Sequence, residues 1–98
     1  MFIRIVQMTF KDDTIQLFLD FIQKYVQQIR ASEGCTHLKI LRDQQNPNII
    51  FTYSHWDAPQ YLEQYRHSDL FQSVWAQTKQ WFGDKPRAWS VDKLHDLA

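Results

Sequence analysis

Apolar residues follow two rhythms along this chain, and the switches between them divide it into elements. Phe2 to Phe10 is rich in large and β-branched residues and contains no breaker, which predicts a strand. The spacing then lengthens: Leu17, Phe18, Phe21, Ile22, Tyr25 and Ile29 recur at helical intervals, with Asp20, Gln23, Lys24 and Gln27 on the opposite face. This predicts an amphipathic helix of about five turns. It is opened by Lys11-Asp12-Asp13-Thr14, whose acids suit the positive end of a helix dipole, and stopped by Gly34. Cys35 to Arg42 and Ile49 to Trp56 return to strand composition. The turn-forming residues Asp43 to Asn48 between them predict an antiparallel hairpin. Asp57 is placed to cap a short helix over Gln60 to Arg66, with Pro59 in its first turn. Ser68 is placed to cap another, along which Leu70, Phe71, Val74, Trp75, Thr78, Trp81 and Phe82 form one stripe. Gly83 and Pro86 end that helix, and Ala88 to Leu94 reads as a last strand.

The order β-α-β-β-α-β predicts an α+β, ferredoxin-like domain over residues 1–98: a four-stranded antiparallel sheet with helices on one face. A sheet with its other face in water alternates cleanly between apolar and polar. These strands do not. The first carries Val6 and Met8 in one phase and Ile3 and Ile5 in the other; the third carries Ile50 and Trp56 against Ile49, Phe51 and Tyr53. The second face is therefore predicted to be buried against another copy, as a two-fold homodimer.

Composition narrows the function. Lys plus Arg and Asp plus Glu number 11 each, so there is no basic excess for binding a phosphate backbone, and nucleic acid is not expected as a partner. The same balance gives no general attraction to acidic substrates or an anionic membrane. A lone cysteine, Cys35, excludes an internal disulfide framework and reads by default as a small buried apolar residue. As a nucleophile it would need a partner, and His37, two residues on, falls on the same face of a regular strand. MFIRIVQMTF has neither the long apolar run nor the cleavage site of a signal peptide, and no stretch reaches membrane-span length, so a cytoplasmic location is expected. No metal-ligand spacing appears among His, Cys, Asp and Glu, and with only two glycines there is no phosphate-cradling loop.

More than half of the Phe, Trp and Tyr residues lie between Asn48 and Phe82, which predicts either a large core or an apolar pocket with polar tips. Within and beside that stretch, Gly34-Cys35, Asn46-Pro47, Thr52-Tyr53-Ser54-His55-Trp56 and Tyr65-Arg66-His67-Ser68-Asp69-Leu70-Phe71 resemble the antibiotic biosynthesis monooxygenase (ABM) domain family over nearly the whole chain. The resemblance implies a dimeric α/β barrel in which two ferredoxin-like sheets face each other. It also implies oxygenation without a metal or flavin cofactor, the deprotonated phenolic or quinol substrate supplying the electrons to dioxygen. The haem-degrading branch of the same fold places a ligating histidine on the helix after the third strand. Here Phe71 to Phe82 holds no histidine and Trp75 occupies that position, while that branch's first-strand asparagine falls near Val6 or Gln7. Tryptophan cannot ligate iron, which argues against haem degradation.

The candidate site residues each have a plain structural role as well. Trp56 packs at a strand end by default; in a pocket it would form one wall, with its indole N–H available as a donor. His67 bonds near a helix junction by default. The family motif has a histidine there, which marks it as the candidate proton acceptor. Tyr65, Tyr53 and Trp75 are core residues by default and pocket walls in the functional reading. His55 is out of phase with Trp56, His37 belongs to solvent or the dimer interface, and His95 lies near the C-terminal end of the chain. Arg4, Arg66 and Arg87 can bind a carboxylate, although such residues are commonly solvated or ion-paired at the surface. The expected function is cofactor-independent monooxygenation of a small aromatic or quinol-like molecule. The alternatives are a non-catalytic small-molecule-binding or dimerisation module and an isomerase-type proton-transfer enzyme.

Overall fold

The computed structural model describes residues 1–98. The elements run β1 (Phe2–Thr9), α1 (Ile15–Ile22), α2 (Val26–Arg30), β2 (Cys35–Arg42), β3 (Ile49–Trp56), α3 (Pro59–Arg66), α4 (Asp69–Thr78) and β4 (Arg87–Val91), with one 3-10 turn at Lys79–Trp81 continuing from α4. The strands form a single antiparallel sheet in the order β2-β3-β1-β4. This is the ferredoxin-like α+β arrangement, with β3 inserted between the two strands that the first helical segment connects.

Register separates the sheet into two faces. Cross-strand pairs Met8 with Ile50, Val6 with Thr52 and Leu38 with Ser54 put these residues in one phase. Met8, Phe10 and Ile50 join Phe18, Ile22, Ile29 and Val74 in the main buried core. A smaller cluster of Phe2, Cys35 and Trp56 lies at the other end of the same face, against Tyr61, Leu62 and Tyr65. The opposite phase presents Ile5, Phe51 and Tyr53, all half-buried, and Leu41, Trp89 and Val91, all exposed.

Several local expectations are corrected. The five-turn helix is two helices. The amides of Lys24 and Tyr25 bond back to the carbonyls of Phe21 and Ile22, closing i→i+3 turns between α1 and α2. Gly34 does not cap α2, whose C-cap is Ala31. It makes the turn into β2 with φ +82°, and a Cβ there would lie 2.2 Å from Cγ of Tyr61, so both conformation and space require glycine. Ala58, not Asp57, is the N-cap of α3, with Pro59 in the first turn and no side-chain cap. Ser68 does cap α4: its Oγ accepts from the Phe71 amide at 3.1 Å. The last strand begins one residue earlier than expected and ends at Val91.

Cys35 and His37 do not share a face. The register slips between them, so that Cys35 opposes Trp56 while His37 opposes His55. A β-bulge thus turns a two-residue separation into opposite orientations. No helix is long and apolar enough to cross a membrane.

Candidate functional site

Strand alternation places Arg4, Val6 and Met8 of β1 and Thr52, Ser54 and Trp56 of β3 beneath the helices. Between this floor and α1, α3 and α4 lies a cavity of about 290 Å³, near the lower end of the range for small-molecule sites. Phe18 and Ile22 close one side. Tyr65, Arg66, Phe71, Trp75 and Thr78 close the other.

Trp56 is a fixed wall, only 1% exposed. Its indole N–H donates to Ser54 Oγ at 2.9 Å, so the donor expected to be available for a ligand is already used. Its ring lies 5.3 Å from that of Tyr65. Tyr65 meets Phe71 edge-on at 5.2 Å, and Phe71 stacks on Trp75 at 5.8 Å. This continuous row of rings favours a flat apolar ligand. Burial, with a smaller contribution from the neighbouring Cys35, pushes the Tyr65 phenol up to about 12. At neutral pH it is therefore a neutral O–H group able to donate a hydrogen bond and unable to act as a base.

The structure brings Trp56, Tyr65 and Trp75 together and leaves two other candidates outside. Tyr53 points to the opposite face of the sheet, where its hydroxyl lies 3.2 Å from His55 Nε2 and Lys39 lies over its ring. It does not line the cavity. Its place in the phase of Ile49 and Phe51 is the physical reason. His67 is the C-cap of α3, with a 72% exposed side chain. Its Nδ1–H donates to the Glu63 carbonyl at 2.8 Å, and the ring does not reach the cavity wall. His55 and Trp56 occupy opposite faces, as their phases require. His37 lies beside His55, with ring centroids 4.8 Å apart. Cys35 is buried, its thiol donating to the His37 carbonyl, and burial pushes that thiol's pKa up. It has the character of a packed residue rather than an activated nucleophile. No three His, Cys, Asp or Glu side chains converge as a metal site.

Three polar features of the wall were not assigned to the site from sequence. Ser54 holds Trp56 in place. Thr78 is 2% exposed and its Oγ1 has no hydrogen-bond partner. Arg4 and Arg66 both border the cavity. For Arg4 a signal was present, since it shares the phase of Val6 and Met8 and must lie on the covered face.

The sequence profile of the family described as "Antibiotic biosynthesis monooxygenase" matches residues 1–77. No curated protein sequence matches. Among solved structures, the chain is similar to one described as an antibiotic biosynthesis monooxygenase, with a TM-score of 0.91, 17% identity and coverage of 97% of this chain and 100% of the other. A conserved protein from Methanosarcina mazei Go1 superimposes with a TM-score of 0.87 at 20% identity, covering 94% and 92% of the two chains. Rv0793 from Mycobacterium tuberculosis gives 0.89 at 12% identity, with coverage of 99% and 98%. At these identities the structural matches establish the fold.

Proposed function

Because the chain belongs to the antibiotic biosynthesis monooxygenase family, we propose that its cavity binds a small aromatic, quinol-like molecule and presents it to dioxygen without a metal or flavin. The observation that carries this reading is the row of rings from Trp56 through Tyr65 and Phe71 to Trp75 along a mostly apolar cavity. Such a wall holds a flat substrate and keeps water from the electron-rich anion formed on deprotonation. For an activated ring methylene the reaction balances within substrate and dioxygen. One oxygen atom ends as a carbonyl on the former methylene carbon, the other leaves as water, and all electrons come from the substrate.

The side chains have distinct parts in this scheme. Trp56, fixed by Ser54, and Trp75, stacked on Phe71, orient the ring. Tyr65, as a neutral phenol, donates to a substrate oxygen. His67 stands one residue past Arg66 with its ring in solvent, so it would relay a proton outward rather than touch the substrate. Tyr53 belongs to the other face and has no part in the pocket.

Two copies complete the assembly in this proposal. Ile5, Phe51 and Trp89 share the uncovered face of the sheet. Pairing that face with its equivalent removes the apolar surface from water and forms a dimeric barrel.

The test is oxygen uptake with a panel of hydroxylated polycyclic quinols. Turnover that persists with metal chelators and without added flavin, and falls in Trp75→Ala, is the expected result. His67→Ala leaving that turnover unchanged would remove the relay and leave the pocket assignment standing. The second reading, a binding module without catalysis, is favoured by one observation: the cavity wall contains no carboxylate and no imidazole. The same feature weighs against a proton-transfer isomerase, which needs a base in contact with its substrate. Ligand binding with no turnover across the panel would establish the module.

A further inference from the structure

Arg4 occupies an unusual place. It lies on a central strand, paired with Ser54 of β3 and Ser90 of β4, on the face covered by helices. Its guanidinium donates to Ser90 Oγ at 2.9 Å, and no carboxylate lies within ion-pair distance. A half-buried charge without a counter-charge is costly, and an apolar residue would fit this row of the sheet better. A second guanidinium, that of Arg66 at the end of α3, borders the same cavity. Its only acidic neighbour is Glu63, 3.7 Å away, with both side chains at least half exposed, so the charge of Arg66 is only weakly neutralised. The two cations sense each other: burial first, and then Arg66, lowers the pKa of Arg4. Arg87 also borders the cavity, but its guanidinium stacks on Trp89, in the phase of the uncovered face, so it is set apart from the other two.

We infer that the ligand is an aromatic acid and that Arg4 and Arg66 together hold its carboxylate at the Trp56 end of the cavity. The inference rests on the reading of this cavity as a ligand site. Guanidinium groups match a carboxylate in shape and form paired, charge-assisted hydrogen bonds with it. An anion between them also relieves their mutual repulsion. The rest of the cavity is consistent with an amphipathic guest. Beyond the arginines the wall is largely apolar, and the unpartnered hydroxyl of Thr78 marks the far end of α4, a helix about 15 Å long. The wall supplies cations and neutral donors but no base, which suits a ligand that arrives already ionised. A net charge of zero does not oppose this, because the sum over a chain is blind to where two of its cations stand.

Calorimetric titration at pH 7 and low salt with 2-naphthoate and with uncharged 2-naphthamide tests the inference. The acid is expected to bind at least tenfold more tightly than the amide. Arg66→Gln, at an exposed helix end where folding is not at stake, is expected to cut that preference to threefold or less, and Arg4→Gln to do the same. Equal affinity for acid and amide, binding of neither, or a preference that survives in Arg66→Gln would overturn it. Binding is read independently of turnover. A naphthoate preference without oxygen uptake on the quinol panel would support the anion site and remove the oxygenase. Turnover of quinols with no preference for the acid would do the reverse.

Discussion

The two faces of the sheet are built from the same four strands and both carry apolar residues, yet they use polar groups differently. Beneath the helices, three polar residues of the strands, Arg4, Thr52 and Ser54, border a cavity. On the other face, Tyr53, His37 and His55 bond or stack with one another among Ile5, Phe51 and Trp89. A covered face that is not fully apolar has retained polar groups at a cost, and the space beside them shows where a ligand would use them. An uncovered face that is not fully polar has retained apolar groups, and the surface they form points to a partner of the same kind. In the proposed assembly, departure from ideal patterning reads as a ligand on one face and a protein on the other.

Four measurements would break or sharpen this contrast. The largest effect is expected at Trp56. Trp56→Ala removes the largest fully buried side chain, and chemical denaturation should show a loss of about 3–5 kcal/mol. A loss under 1 kcal/mol would mean that the ring is not the packed wall described. Next, Ile5→Glu puts a charge into the proposed interface. Sedimentation should show dimer dissociation strengthened roughly a hundredfold, about 3 kcal/mol, with far-UV circular dichroism unchanged. If the variant associates like the parent protein, the uncovered face is not the interface.

A smaller gain is expected at Thr78. Thr78→Val replaces an unpartnered buried hydroxyl with a methyl group and should raise the stability of the ligand-free protein by about 1 kcal/mol, a rise in Tm of roughly 4–8 °C. A loss of stability would show that the hydroxyl has a partner after all. The smallest effect concerns His55. Burial first, then the neighbouring His37 and lysines, hold its pKa below the ordinary 6.5. The folded protein thus binds this proton less readily than the unfolded chain. The stability linked to His55 is complete above about pH 6.5 and is lost as pH falls through the folded pKa. His55→Gln should flatten that part of the stability profile, and a parallel profile would assign the slope elsewhere.

Much of this was legible in the sequence because its periodicity is strong. The element order, the sheet faces and the capping role of Ser68 follow from residue spacing alone. So does the separation of His55 from Trp56, and Trp56, Tyr65 and Trp75 do meet around one cavity. What was not legible depended on local geometry with no compositional mark. No glycine or proline announces the tight turn between α1 and α2, and nothing in Cys35-Thr36-His37 announces a bulge. Tyr53 was grouped with the pocket for its chemistry although its phase excluded it. His67 carries the right chemistry, but its position at a helix end directs the ring to solvent. Arg4 is named from sequence as able to bind a carboxylate but is not placed in the pocket, since an arginine suggests surface even where strand alternation places it inside.

The strand order β2-β3-β1-β4 also limits how far the protein can assemble. In the proposed dimer the uncovered face is taken up by the second copy, and only the sheet margins offer free backbone groups for further growth. One margin, β4, is five residues long and begins with Arg87. The other, β2, carries Lys39 and Arg42, both exposed. Short and cationic margins resist pairing with further strands, so association should stop at a closed pair rather than extend into a fibre.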